Sequence, residues 1–494
     1  MKKDRNRIAK VRARAITGFT FLAGREMAMK VIAVLGQLAL VRILTPDIFG
    51  VFAIISFVIA GAALFTDFGL SMTIIQKKVT SKQDELSTIF HLKLLLTLIV
   101  VCIIFVFSPH LNLIYSHFGL LETSILRILS FTLIIQSVRS VMVSILERDL
   151  KYESISVIDL VGIFSYYLVA LILAFLNFGI WSFVWAVVVK EIIETLISWN
   201  YCRWLPTNFF KLNIIKNQLK MGVFYQMGLI TGFIYNSTIP IVAGILSTPY
   251  FVGLLDWSSN VSSIPRTLSE NVGRVSFASF SRMQDSKDSI AQYISKSFII
   301  LSFFSLFFVV ITISFGKELV SFLLTDKWLP ALPALYWFIG STFFLNGTAL
   351  MGNVILALGK TKLMFYISIF FIFLQYILSV LFFRHIGFTG IAVANFLGTL
   401  VMFFVLLVLV RKLDIRVSFS RYILQGIIVF ILSFTVAFIL NQIIQTNSVL
   451  YLAFKLSIFT IIYIIMFKKI LPDIVSQIKD VIKQQLKVNR PSLN

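Results

Sequence analysis

Long apolar runs recur from one end of the chain to the other, and each contains about twenty or more residues. A helix of that length crosses a hydrocarbon core of roughly 30 Å. The runs are continuous rather than alternating, which favours helices over the strands of a membrane barrel. The pattern predicts an all-α integral membrane protein with fourteen membrane-spanning helices over 15–44, 49–76, 86–108, 124–147, 153–176, 179–202, 218–246, 250–280, 293–315, 329–357, 362–384, 387–410, 421–441 and 449–468.

The loops between these runs differ in charge from one side to the other. Lys and Arg concentrate in alternate loops and at both chain ends, and such loops face the cytoplasm in membrane proteins. The distribution therefore predicts that both termini are cytoplasmic. The opposite loops carry only Lys317, Lys327 and Arg384.

Short motifs repeat at a separation of about 200 residues. Thr45-Pro46-Asp47-Ile48-Phe49-Gly50 matches Thr248-Pro249-Tyr250-Phe251-Val252-Gly253 in its Thr, Pro and Gly positions, and Phe178-Gly179-Ile180 is echoed by Ile386-Gly387-Phe388. An even number of helices per copy predicts two parallel six-helix lobes, as in some transporters. The predicted divisions are an N-terminal lobe, a C-terminal lobe, two additional helices and a cytoplasmic amphipathic tail, over 1–205, 206–412, 413–468 and 469–494.

The composition agrees with a membrane protein and argues against an enzyme. The 494 residues are 58% hydrophobic, with a mean hydropathy of +0.93. A net charge of +22 would suggest nucleic acid in a soluble protein, but here it reflects membrane topology, so no nucleic-acid partner is expected. The histidines are not grouped as a metal site, and the sequence shows no phosphate loop and no nucleophile triad. We therefore expect a transporter with no catalytic residues, no metal site and no cofactor.

Several cations lie inside the apolar runs. An ionised group at membrane depth is costly unless it faces protein or water, so it is a functional candidate. Because the excess charge is positive, the pattern predicts a cationic cavity that receives an anionic substrate. The predicted cavity residues are Arg25, Lys30, Arg139, Arg266 and Arg274.

Ordinary structural roles would also explain some of these charges. Glu26 and Lys30 are four residues apart and could neutralise each other, which would leave Arg25 available. Arg139 and Asp159 could bridge neighbouring helices. Three cations near helix ends are expected to extend towards the membrane surface, namely Lys93, Arg127 and Lys455.

Polar residues and acids supply further candidates. Hydroxyls, amides and aromatic rings suit a sugar, although they also suit helix packing in lipid. The sugar-contact candidates are Tyr225, Gln226, Tyr235 and Asn236. Buried acids could bind a coupling H⁺ or Na⁺, or could neutralise arginines. The coupling-ion candidates are Asp67, Asp256 and Glu270.

Three stretches carry a family resemblance. The segment 41–50, the segment Thr66-Asp67-Phe68-Gly69-Leu70 and the pair Tyr225-Gln226 resemble Wzx-type polysaccharide exporters of the multidrug/oligosaccharidyl-lipid/polysaccharide superfamily. The resemblance implies a bacterial inner-membrane protein with a V-shaped cavity between two lobes. It also implies that the protein moves an undecaprenyl-pyrophosphate-linked oligosaccharide from the inner to the outer leaflet. Membrane lipid, a glycan polymerase and other pathway proteins are the expected partners.

Three other functions compete with this reading. A lipid II flippase would share fourteen helices and a cationic cavity. A drug or cation antiporter of the same fold would have an acidic cavity and usually twelve helices. A membrane polymerase or ligase would need a sizeable outer loop with catalytic residues, and the predicted outer loops are short.

Overall fold

A computed structural model describes residues 24–76, 83–417, 420–444 and 448–470. Almost all of the predicted amphipathic tail, 469–494, therefore lies outside the described residues. The chain divides into two compact units, Met1–Gly253 and Leu254–Asn494. Inside the helices, the description omits the side chains at 217–221, 223–225, 268–271, 274, 275, 278 and 420–422.

The first unit is built from helices that follow one another with short connections. Pro46 begins the second helix, where its missing N–H is not needed, and Asp47 lies in the first turn, where a negative charge is favourable. The helices are α1 (24–43), α2 (Pro46–Asp67), α3 (Leu70–Gln76), α4 (Gln83–Phe107), α5 (Leu120–Arg148), α6 (Tyr152–Phe175), α7 (Trp181–Cys202), α8 (Lys216–Asn236) and α9 (Gly244–Leu246).

The second unit contains a large apolar core. Phe298, Leu350 and Phe403 are fully buried in it, and the rings of Phe298 and Phe403 lie 6.0 Å apart. The next helix, α10, starts in the first unit and continues into the second. The helices are α10 (Pro249–Arg282), α11 (Lys287–Leu323), α12 (Leu332–Ala357), α13 (Thr361–Ile386), α14 (Thr389–Lys412), α15 (Ser420–Ile443) and α16 (Val449–Ile470).

Two predicted helices are interrupted in the structure. The run predicted over 49–76 breaks between α2 and α3, where Phe68 and Gly69 adopt φ values of +44° and +70°. The run predicted over 218–246 contains Pro240 within a π-helical turn and bends by 55° there. Proline cannot donate the backbone hydrogen bond that a continuous helix needs, which accounts for the second break.

The described helices confirm an all-α membrane protein. Among the described residues, ten helices are long and apolar enough to cross a membrane, or eleven if the bent pair of α8 and α9 is one span. The more polar helices α1, α7 and α10 are not among them. Each predicted run overlaps a described helix, and α11 is longer than predicted, but the total of fourteen spans stays a prediction.

Candidate functional site

The two copies of the Thr-Pro-x-x-x-Gly motif contact each other within the first unit. A methyl group on Gly50 of α2 would overlap the carbonyl oxygen of Pro249. A methyl group on Gly253 of α10 would in turn overlap the carbonyl oxygen of Pro46. Only glycine allows backbones to approach so closely. The two contacts are reciprocal, and the internal repeat of six helices stays a prediction.

Arg25 forms an ion pair inside the first unit. Its Nη1 atom lies 2.7 Å from Oδ2 of Asp159 on α6, and the two side chains are 18% and 33% exposed. Its Nε atom is buried and has no hydrogen-bond partner in the described part of the chain. Arg25 is therefore only partly available, because one carboxylate already occupies part of its guanidinium group.

Arg25 also lines a cavity of about 620 Å³, which we call the α1–α6–α7 cavity. That volume is in the range of small-molecule sites. The cavity lies where α6 begins and α7 ends, and the charge pattern predicts that this end of the unit is cytoplasmic. Its polar lining comes from Arg25, Glu153, Ser154, Ser156 and Tyr201.

Arg139 holds two helices together rather than facing open space. Its Nη2 atom lies 2.9 Å from Oε2 of Glu191 on α7, and its Nη1 atom contacts Glu194 one turn further along. Gln136 donates a hydrogen bond of 3.1 Å to Glu191. These contacts contradict the predicted bridge from Arg139 to Asp159. A role of Arg139 in substrate binding stays a prediction.

Asp67, a predicted coupling-ion candidate, is engaged by groups of its own unit. Its carboxylate pairs with Nζ of Lys93, whose side chain is only 2% exposed. Ser71 donates a hydrogen bond of 2.8 Å to Asp67 and accepts one of 2.7 Å from Lys93. The expectation that Lys93 extends to the membrane surface is wrong, because this carboxylate and hydroxyl satisfy it internally.

The predicted sugar-contact residues on α8 have different surroundings. Gln226 is buried and donates a hydrogen bond of 2.6 Å to the carbonyl oxygen of Leu64, so it serves helix packing. Asn236 is exposed and bonds to the carbonyl of Gly232 in its own helix. Tyr235 is half-buried, and the side chain of Tyr225 is among those that the structure does not describe. A sugar role for these residues stays a prediction.

The other predicted site residues are spread over both units. Lys30 is exposed on α1, and Arg266 is exposed on α10. Asp256 accepts a hydrogen bond of 2.9 Å from Asn260 of its own helix. The side chains of Glu270 and Arg274 lie outside the description. Their predicted roles in substrate or ion binding remain predictions.

Two further ionic residues were missed or misplaced by the sequence analysis. Glu191 provides one of the two carboxylates that bind Arg139. Its proximity to Glu194 in an apolar helix was the sequence signal that could have identified it. Lys455 was expected to reach the membrane surface, yet it is 1% exposed. Its Nζ atom lies 3.6 Å from Oε1 of Glu318 and 5.3 Å from the ring centroid of Phe315.

Known proteins resemble this chain over most of its length. A Klebsiella pneumoniae protein described as an uncharacterized membrane protein in the cps region is 28% identical over 324 residues. That match covers 62% of this chain and 64% of the relative, so the chain spans slightly less than two thirds of it. The lipopolysaccharide biosynthesis protein WzxC of Escherichia coli (strain K12) is 20% identical over 439 residues, which are 86% of each chain.

Solved structures confirm the fold. The lipid II flippase MurJ in an inward closed conformation superposes with a TM-score of 0.72 at 16% identity, over 91% of this chain and 100% of that one. A superposition of this quality at such low identity establishes a common fold and does not assign a substrate. Residues 39–333 match the family described as polysaccharide biosynthesis protein. The chain therefore belongs to the polysaccharide biosynthesis protein family, and its predicted resemblance to Wzx-type proteins is confirmed.

Proposed function

We propose that this protein is a flippase for an undecaprenyl-pyrophosphate-linked oligosaccharide. It moves the glycolipid from the inner to the outer leaflet of a bacterial inner membrane by alternating access, with both termini on the cytoplasmic side. The observation that carries the proposal is a part-exposed arginine, Arg25, on the wall of a large cavity in a chain of the polysaccharide biosynthesis family.

The chemistry of the head group explains why such a protein is needed. A sugar pyrophosphate loses its water partners in hydrocarbon, which costs several kcal/mol for each polar group and more for each charge. Arginine replaces those partners well, because its planar fork of donors matches the oxygens of a phosphate. The polyprenyl tail needs no such help, since it is as apolar as the lipid around it.

The membrane potential supplies a driving force for this direction of transport. Carrying two negative charges outward across an inside-negative membrane is favourable by roughly 4–5 kcal/mol at 100 mV. We propose that the potential contributes to transport, with or without exchange of H⁺ or Na⁺. Unchanged flipping after the potential is collapsed, with ion gradients held constant, would refute this part of the proposal.

Deletion of the gene, followed by assay of lipid-linked oligosaccharide on each leaflet, tests the proposal. We expect the glycolipid to accumulate on the inner leaflet and the wild-type protein to restore its export. Arg25→Gln should not restore it, whereas Gly228→Ala should, because a methyl group at Gly228 meets nothing within 4 Å. Accumulation of lipid II instead would favour the hypothesis of a lipid II flippase. If neither glycolipid accumulates, both flippase hypotheses are rejected.

A further inference from the structure

The α1–α6–α7 cavity combines groups that suit two parts of one ligand. Arg25 provides a positive charge with a buried Nε donor that has no partner among the described residues. Glu153 and Ser154 provide hydroxyl-binding oxygens, and Tyr201 provides a ring that is 41% exposed. A phosphate satisfies the first group, and a sugar satisfies the others, because carboxylates accept bonds from hydroxyls and an aromatic ring packs on the apolar face of a sugar.

Asp159 pairs with the cation of this site. It uses only one of the guanidinium nitrogens, Nη1, at 2.7 Å. A phosphate oxygen and a carboxylate oxygen make the same type of charge-assisted bond to arginine. Asp159 and an incoming phosphate therefore compete for the positive charge of Arg25, although Nε is open to the phosphate from the start.

Charges beside Arg25 also surround the Asp159 carboxylate. Arg139 on α5 and Lys190 on α7 both act on the Asp159 carboxylate from outside the ion pair, in addition to Arg25 on α1. Glu147 on α5 is its like-charged neighbour. A carboxylate that gives up Arg25 thus remains near two cations and close to one acid.

We propose that the α1–α6–α7 cavity binds the sugar-phosphate part of the substrate, and that Asp159 is a displaceable counter-ion that yields Arg25 to the phosphate. This inference rests on the proposed function, because it places the head group of that substrate on the cytoplasmic side of the first unit. It makes Asp159 a positioning residue that lowers the affinity of the resting site. Removing its charge should therefore tighten binding, which is the opposite of what loss of a purely structural ion pair would do.

Titration calorimetry with glucose 1-phosphate tests this proposal on the full chain in phosphatidylcholine nanodiscs. Arg25→Gln should weaken binding about tenfold or more, which is the loss expected for a charged hydrogen bond. Asp159→Asn should tighten binding about three- to tenfold, because Arg25 is then released from its ion pair in a larger fraction of the molecules. Tyr201→Ala, at an exposed position, should weaken binding of glucose 1-phosphate and leave binding of inorganic phosphate unchanged.

A matched control comes from the second unit. Glu318→Gln breaks another part-buried ion pair, with Lys455, and should leave glucose 1-phosphate binding unchanged. Unchanged binding in Arg25→Gln, or weaker binding in Asp159→Asn with wild-type thermal stability, would overturn the proposal. Inorganic phosphate that binds as tightly as glucose 1-phosphate would overturn the sugar assignment. Loss of binding in phosphatidylglycerol nanodiscs would assign the site to membrane phospholipid instead.

The binding result is independent of transport. Binding with the predicted variant pattern in a protein that does not flip glycolipid would leave the site assignment intact and refute the proposed function. Flipping by a protein that does not bind glucose 1-phosphate would refute the site and leave the function intact.

Discussion

Gly50 and Gly253 occupy the same position in two copies of one motif, and each lies against the carbonyl oxygen of the proline that begins the other helix. Pro46 and Pro249 start α2 and α10 in the same way, so the two contacts mirror each other. Because the motifs are about 200 residues apart, this relationship joins distant parts of the sequence at a point with no room for a side chain.

Adding one methyl group at this contact should destabilise the protein. In Gly50→Ala and Gly253→Ala the new carbon overlaps a backbone oxygen, so the helices must separate, at a cost of about 1–3 kcal/mol each. Thermal unfolding in detergent should show a lower Tm for each variant. Gly228→Ala is the matched control, because α8 leaves open space there. Equal Tm values for Gly50→Ala and Gly228→Ala would show that the contact is not tight.

Removal of one charge of the Asp67–Lys93 pair should destabilise the protein more than removal of both. Asp67→Asn leaves Lys93 buried without its counter-charge, which should lower the free energy of unfolding by up to about 3 kcal/mol. The double variant Asp67→Leu/Lys93→Met should recover most of that loss, because it removes both charges from the interior. Denaturant unfolding of the single and double variants measures this.

The exposed Asp414–Lys287 pair provides the comparison. Asp414→Asn should change stability little, because both side chains face solvent and such pairs contribute little. A stable Asp67→Asn protein whose transport depends differently on H⁺ or Na⁺ would instead support the coupling-ion role that the sequence suggested for Asp67.

Arg139 should matter for folding more than its neighbour Lys190 does. Arg139→Gln leaves Glu191 and Glu194 without their main counter-ion, so we expect a lower yield of folded protein and a lower Tm. Lys190 lies 3.8 Å from Glu194 and is 35% exposed, so Lys190→Met should have a much smaller effect. Size-exclusion profiles and thermal unfolding compare the two. A well-folded Arg139→Gln protein that has lost only substrate binding would contradict the assignment of Arg139 as a helix-bridging residue.

Lys455 should hold α16 against α11. Lys455→Met removes the charge that interacts with Glu318 and with the ring of Phe315. We therefore expect α16 to separate from α11 more often. Hydrogen exchange measured by mass spectrometry should show faster exchange in α16 and no change in α6. Exchange in α16 that is identical in the wild type and in Lys455→Met would show that apolar packing alone holds α16 in place.

The sequence predicted the helices well, because hydrophobic length is the dominant requirement in a membrane. It did not predict the break at Phe68 and Gly69, which depends on backbone conformation rather than on hydrophobicity. It predicted a continuous helix over 218–246, but the bend near Pro240 depends on how the freed backbone groups are satisfied.

The candidate site was predicted less completely. Arg25 was found because a charge in an apolar run is visible in one sequence. For its partner Asp159 the sequence offered Arg139 as an alternative, because those two residues lie on neighbouring helices. The actual contacts depend on how α1, α5, α6 and α7 are arranged around one another, and a single sequence contains no record of those distances.

The most direct test of the central claim is transfer of a fluorescent polyprenyl-diphosphate-linked sugar across vesicles that contain the purified protein. We expect wild-type protein to speed transfer well above the rate in protein-free vesicles, Arg25→Gln to abolish the increase, and Gly228→Ala to retain it. Wild-type vesicles that transfer the glycolipid no faster than protein-free vesicles would contradict the account.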